Sequence, residues 1–394
     1  MGGSGSAGTQ GRGANLARKP YHFAVVSYRD IRHPEFGGAE VILYEIFRRI
    51  KAGGHRVTFL TGHWPGAPRE EQIEGMRIRR AGSQYTFNFR APGMLRRLLR
   101  EEPVDLVVED INKIPFFSPL FQRRAPVLGV VPHLFGTTVF QQAPIPLALY
   151  VYFYERFIPL VYRRCRFSVL SQTTLADLVR RGLPRERLRL IRAGIDHAYY
   201  RPPAERGALP GPVILYLGRL KKYKRIDLVL EALPAVLARV PGAEYWIAGE
   251  GDYRGALEAQ VRRMGLGEHV RFLGFQEGAE KLETLYKTRV LVYTSPKEGW
   301  GLSVIEANAL GIPAVASDAP GLRESVQHGR TGLLAPHGDV PALAEAILRL
   351  CEDDELWRRM GREAMSWAGE FHWDRSARET LGLAEEIMEE WRRP

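Results

Sequence analysis

The chain has 394 residues, of which 45% are hydrophobic and 26% charged, and a net charge of +11. This is the balance of a soluble globular chain, and its length exceeds one typical core, which points to two domains of roughly 150 to 200 residues each. Residues 1–200 carry 30 Lys and Arg against 16 Asp and Glu, and the remainder 26 against 29, so the basic module is the first half; with no zinc-ligand spacing, RNA-binding aromatic motif or basic repeat, nucleic acid is excluded among its anionic partners.

Residues 1–20 read as a flexible tail, Gly/Ser-rich at the start and without the apolar stretch of a secretory signal. Apolar runs at 22–28, 56–61, 76–79, 106–108, 127–131 and 167–170 alternate with helical patterns, the signature of a parallel sheet flanked by helices. The first run leads through Phe36, Gly37, Gly38 and Glu40 into a helix at 41–50. Paired glycines let backbone approach a ligand closely, although the spacing is not that of a dinucleotide-binding turn. His133 follows the 127–131 run and precedes a loop of small residues.

Residues 125–154 contain no Asp, Glu, Lys or Arg, but Pro126, Pro132, Pro144 and Pro146 deny this stretch the ~20-residue helix a membrane span needs. Residues 147–162 then gather Tyr150, Tyr152, Phe153, Tyr154, Phe157 and Tyr162, and Arg163, Arg164 and Arg166 follow. Two readings stay open: a helix lying in an anionic headgroup layer, with Arg96, Arg97 and Arg100 adding to its face, or a core helix with a basic end. Cys165 and Cys351 lack metal or redox spacing and suit a reducing cytoplasm, so the expected location is cytoplasmic, peripheral on the inner face of the cell membrane.

Residues 193–196 and a Pro/Gly/Ala-rich loop at 201–211 mark a boundary, after which strands at 213–217, 245–248, 270–273, 290–293, 314–317 and 332–334 restart the alternation. The 213–217 run opens into Gly218, Arg219, Leu220, Lys221, Lys222, Tyr223, Lys224, Arg225, Ile226 and Asp227, and then a helix to about residue 239. Five cations in seven residues repel one another unless solvent or an anion screens them. Asp227 reads as an early-helix acid of structural value. The turn at 295–301 opens a helix at 302–310 and carries Glu298, with Glu306 eight positions on. Free amides at that helix start, formed by Gly301, Leu302 and Ser303, suit a diphosphate or sugar hydroxyls, and Glu306 suits a vicinal diol. A final helix covers 373–391 after a break at Phe371 and His372.

Glu298 and Glu306 with their surroundings resemble the E-x7-E signature of the retaining family 4 glycosyltransferases of the GT-B fold. Gly218, Arg219, Lys224 and Asp227 are similar to that family's diphosphate-binding element, and the stretches 321–324 and 329–334 fit as well. The resemblance implies an α/β fold with two Rossmann-like doubly wound domains facing across a cleft: 21–205 on the acceptor side, 206–371 binding nucleotide sugar, and 372–394 crossing back onto the first domain. It implies a metal-independent, cofactor-free transfer of a hexosyl group, with retention, from a UDP- or GDP-linked sugar to a glycan or lipid acceptor hydroxyl. The expected catalytic set is Glu298, His133, Arg219 and Lys224. Gly37, Gly38, Gly218, Phe275, Trp300, Gly301, Leu302, Ser303 and Glu306 are the expected donor contacts, Glu298 orienting the hexose, Glu306 the ribose, and Phe275 lying in the turn that selects the base. Arg289 and Asn308 depart from the family pattern, which often has Asp and Met there; Arg289 is expected to be a solvated residue at a strand start. A nucleotide-sugar epimerase, a glycosidase built on the two carboxylates, and a non-catalytic partner of the same architecture remain alternatives.

Overall fold

The structure, a computed structural model, describes residues 20–83, 86–112, 114–141, 145–203 and 211–393. The tail 1–19 and the expected 205/206 boundary lie outside the described residues. The first sheet is built from β1 (His22–Val26), β2 (Arg56–Thr61), β3 (Glu70–Ile73), β4 (Met76–Arg80), β5 (Leu106–Asp110), β6 (Val127–Val131), β7 (Arg166–Val169) and β8 (Leu188–Leu190). Its order is β3-β4-β2-β1-β5-β6-β7-β8, and β3 pairs antiparallel to β4 while the other pairs are parallel. The second sheet comprises β9 (Val213–Leu217), β10 (Glu244–Ala248), β11 (Val270–Gly274), β12 (Thr288–Tyr293), β13 (Ala314–Ser317) and β14 (Gly332–Ala335), ordered β11-β10-β9-β12-β13-β14 and parallel throughout. These are two Rossmann-like domains. Every residue of β1, β5, β6 and β9 is buried, which is why β6 and β9 are continuous apolar runs and β1 and β5 are interrupted only at their ends, by His22 and by Glu109 and Asp110.

Strand order reverses beside β1 in the first sheet and beside β9 in the second. Crevices beyond the carboxyl ends of strands at such points are where open α/β sheets bind ligands. The loop carrying Gly37 follows β1, that carrying Arg219 follows β9, and Glu298 follows β12, the neighbour of β9.

The chain crosses between domains twice at one place. Ile195 bridges His372, and a side chain on Gly194 would lie 2.1 Å from the Trp373 amide nitrogen, so only glycine fits there. The helix Trp373–Arg392 packs on the first domain's helix Gly38–Ala52, and its acids reach basic residues of that domain: Arg49 to Asp374 at 2.7 Å, Arg166 to Glu386 and Glu390 at 2.9 Å, and Arg189 to Glu386 at 3.0 Å.

Three expectations are corrected. The single helix at 147–162 is broken into Ile145–Glu155 and Ile158–Val161, and Arg166 is occupied by the C-terminal helix rather than available to a basic face. The break coincides with Glu155, whose buried carboxylate accepts from the Phe135 and Gly136 amides at 2.7 and 2.9 Å and pairs with Arg181 at 3.3 Å. Arg289 is not a solvated strand-start residue: its Nε donates to the Leu350 carbonyl at 2.8 Å, it pairs with Asp354 at 2.7 Å, and its guanidinium lies 4.6 Å from the Trp357 ring. It ties β12 to the helices outside the second sheet.

Asn308 is fully buried, and neither its Oδ1 nor its Nδ2 has a hydrogen-bond partner among the described residues. A buried polar group without a partner costs about 1–3 kcal/mol. Asn308→Leu, close to it in shape, is therefore expected to raise stability by about that amount in denaturant or thermal unfolding, and a fall would contradict this.

Candidate functional site

The turn between β12 and the helix Leu302–Ala309 is shaped by glycines at three points. A Cβ on Gly321, whose φ is +82°, would lie 2.1 Å from the Glu298 carbonyl oxygen, and the Glu298 amide donates to the Pro320 carbonyl at 3.0 Å. Gly321 thus permits a close backbone crossing that fixes where Glu298 stands. Gly301 precedes the helix with φ +81° and no side chain caps it, so the amides of Leu302 and Ser303 are not used by a cap. Gly299 sits under the first domain: its notional Cβ would be 2.9 Å from the Pro132 carbonyl oxygen and 3.7 Å from the His133 Nδ1.

Glu298 pairs with Lys224, and both side chains are largely buried. Burial opposes charge on each partner, yet their attraction prevails: Lys224 lies above the usual lysine value and Glu298 below the usual carboxylate range. Burial also pushes the neighbouring His133 down to about 4; the Glu298 charge opposes this, while Lys297, Lys224 and Arg219 reinforce it. His133 is accordingly a neutral imidazole at pH 7, able to accept or donate one hydrogen bond but not to supply a positive charge.

The basic turn after β9 is less bare than its sequence suggests. Lys221 pairs with Asp252 at 2.9 Å, Arg225 with Asp227 at 3.0 Å, and Lys224 with Glu298. This corrects the expectation that five cations there wait for an anion or solvent, since carboxylates screen three of them. Arg219 has no carboxylate within ion-pair distance among the described residues. It faces the opposite domain, where a Cβ on Gly37 would lie 3.4 Å from its Cζ. The Gly37 amide donates to Glu40 Oε2 at 2.8 Å, which holds the loop while leaving its glycine face toward Arg219. Gly38 has nothing within 4 Å of a notional Cβ, so packing does not demand glycine there. At Gly218, by contrast, a Cβ would meet the Tyr293 hydroxyl at 2.7 Å.

Glu306 lies farther along, 8% exposed, with its Oε2 at 2.8 Å from Lys281 Nζ. Phe275 is 54% exposed and meets Phe36 of the first domain edge-on at 6.2 Å. Its exposure and its place across the cleft suit a face for a planar base. The Trp300 side chain has a different position: it is 2% exposed, packed 5.1 Å from the Phe371 ring with the Arg192 guanidinium at 5.4 Å. It belongs to the interdomain crossing, so the indole is not open to a ligand in the cleft.

The structure therefore brings Glu298, Lys224, His133, Arg219 and Gly37 together between the domains and sets Glu306 and Phe275 beside them in the second. Sequence reasoning missed Lys281 and Tyr200 around Glu306, the approach of Gly299 to Pro132, and the role of Glu324. Glu324 accepts from the Gln172 and Thr173 amides at 2.8 Å and from the Thr173 hydroxyl at 2.7 Å, a clamp from the second domain onto the first. Among the described residues no group of three or more His, Cys, Asp or Glu could hold a metal ion.

Two family models match consecutive parts of the chain: glycosyltransferase family 4 over residues 36–199, and glycosyl transferases group 1 over residues 204–367. The chain belongs to the family 4 glycosyltransferases of the GT-B fold. Among curated relatives of this family member, a D-inositol 3-phosphate glycosyltransferase of Nocardia farcinica is 34% identical over 50% of this chain and 47% of its own. A glycogen synthase of Mycobacterium tuberculosis is 35% identical over 48% of this chain and 46% of its own. The chain thus spans about half the length of the curated relatives it matches. Solved structures extend the fold similarity over nearly the whole molecule. Sucrose-phosphate synthase from Thermosynechococcus elongatus aligns with TM-score 0.78 at 23% identity, covering 93% of this chain and 99% of its own. The Anabaena protein HepE, in complex with UDP and glucose, aligns with TM-score 0.75 at 19% identity over 93% of this chain and 100% of its own.

Proposed function

We propose that this chain transfers a hexosyl group, with retention and without a metal ion, from a UDP- or GDP-linked sugar to an acceptor hydroxyl. The observation that carries the reading is the approach of Gly37 in one domain to Arg219 in the other, 3.4 Å from notional Cβ to Cζ, beside the buried Lys224–Glu298 pair. In this reading Arg219, Lys224 and the amides of Leu302 and Ser303 hold the diphosphate, and Gly37 closes over it from the first domain. Glu298 orients the hexose hydroxyls, His133 accepts from or donates to one of them as a neutral ring, and Glu306 clamps the ribose. The bond from the anomeric carbon to the diphosphate oxygen breaks while the acceptor oxygen bonds to the same face of that carbon. The acceptor proton passes to the leaving phosphate oxygen, so no side chain becomes covalently attached.

The acceptor side of the reading is a lipid or glycan precursor at an anionic membrane. On the helix Ile145–Glu155, Ile145, Leu149 and Phe153 recur every four residues and are 69%, 52% and 58% exposed, while Ala148 and Val151 are buried. One side of the helix is core and the other is an apolar stripe, and exposed Arg163 and Arg164 follow it. Among the described residues no helix is long and apolar enough to cross a membrane. The enzyme incubated with a panel of nucleotide sugars, with soluble and vesicle-borne acceptors, and with excess chelator tests the whole reading. The expected product keeps the donor's anomeric configuration and forms at an unchanged rate in chelator. An inverted product, or loss of turnover in chelator, would overturn it.

A further inference from the structure

Lys281 belongs to the short helix Gly278–Tyr286 after β11, and Tyr200 to the segment that follows the interdomain crossing. Neither lies in a recognisable motif, yet the two converge on Glu306. The Lys281 ammonium lies 2.8 Å from Glu306 Oε2 and donates to the Tyr200 hydroxyl at 2.7 Å, and it also stands 5.2 Å from the Tyr200 ring. Glu306 and Tyr200 are each 8% exposed. The Tyr200 amide in turn donates to the Asp196 carbonyl at 2.8 Å, one residue from Ile195, which bridges His372.

We infer that Lys281, braced by Tyr200, is the positioning residue for Glu306, and so sets how strongly the site selects a ribose with free hydroxyl groups. A carboxylate this buried is costly without a partner, and the Lys281 ammonium at Oε2 is that partner. With Oε2 held by the ammonium the carboxylate keeps one orientation, and a diol needs an acceptor at a set position, so loss of Lys281 degrades the grip on a diol without touching the diphosphate contacts. The ammonium binds Oε2, and its contact with Tyr200 fixes it on the side of the interdomain segment. Lys281 itself need not reach the nucleotide. This inference rests on the proposed contact between Glu306 and the ribose.

The test compares binding of UDP and GDP with that of their 2′-deoxy and 3′-deoxy forms, by calorimetry on the full chain, for the wild type, Lys281→Met, Lys281→Arg and Tyr200→Phe. The wild type should prefer the ribonucleotide over one deoxy form. Lys281→Met should weaken ribonucleotide binding by about 10-fold, the scale of one hydrogen bond to a charged group, and bind that deoxy form as the wild type does. Lys281→Arg should restore most of the preference, and Tyr200→Phe should lose part of it. A merely destabilising change would weaken both nucleotides alike and would overturn the inference, as would a Lys281→Met protein with the full wild-type preference. A wild type that shows no preference would instead remove the ribose role of Glu306, and this inference with it.

Discussion

Lys224→Ala is expected to lower the rate of glycosyl transfer by about 10²- to 10³-fold, the scale seen when one preorganised donor to developing charge is removed. The same change leaves Glu298 buried without its partner, and breaking a buried pair from one side costs about 3–5 kcal/mol of stability. These effects separate in a double variant. Lys224→Met with Glu298→Gln removes both charges, so it should recover most of the lost stability while transfer stays low. The sign with pH follows from the shifts. The lowered value of Glu298 gives stability that is present above the ordinary carboxylate range and lost as pH falls through its own value; the raised value of Lys224 gives stability present below the ordinary lysine value and lost at higher pH. Between those limits the pair contributes fully. Transfer activity with unfolding curves on Lys224→Ala, Glu298→Gln and the double variant checks this, and a double variant less stable than either single one would contradict the pairing.

Gly321→Ala should be as damaging to catalysis although Gly321 touches no proposed ligand. Its φ of +82° already disfavours a side chain, and the added Cβ would stand 2.1 Å from the Glu298 carbonyl oxygen. That neighbour is backbone, so one strand of the crossing must move. A displacement of about 1 Å in a catalytic group can cost about 10²-fold in rate. We expect kcat to fall by about that factor with donor affinity changed less, because Arg219 and Glu306 are held by other elements. Gly267→Ala, outside the proposed site and with nothing within 4 Å of a notional Cβ, is the control and should change little. Steady-state kinetics of both variants tests the contrast; normal kcat in Gly321→Ala would show that the turn has slack.

Much of this was legible before any coordinates because buried parallel strands are written as unbroken apolar runs. β1, β6 and β9 could be read directly, whereas β3 is polar on an edge and β8 has only three residues, and neither makes such a run. The spacing of Glu298 and Glu306 and the turn from Gly218 to Lys224 pointed to the cleft through local pattern and resemblance. Partners that come from distant segments left no such mark. Nothing near Lys224 in sequence says that Glu298, 74 positions away, neutralises it, or that Lys281 and Tyr200 meet at Glu306. Trp300 shows the converse: a residue inside the motif whose ring serves the domain crossing instead.

The central claim is that a diphosphate leaves from between the two domains onto Arg219, Lys224 and the amides at the start of the helix Leu302–Ala309. A crystal structure of the chain with UDP or GDP tests it most directly. The account predicts the terminal phosphate within hydrogen-bond distance of Arg219 and Lys224, with the Gly37 loop over it and Glu306 on the ribose. A nucleotide seated elsewhere, or phosphates bridged to the protein by a metal ion, would contradict it.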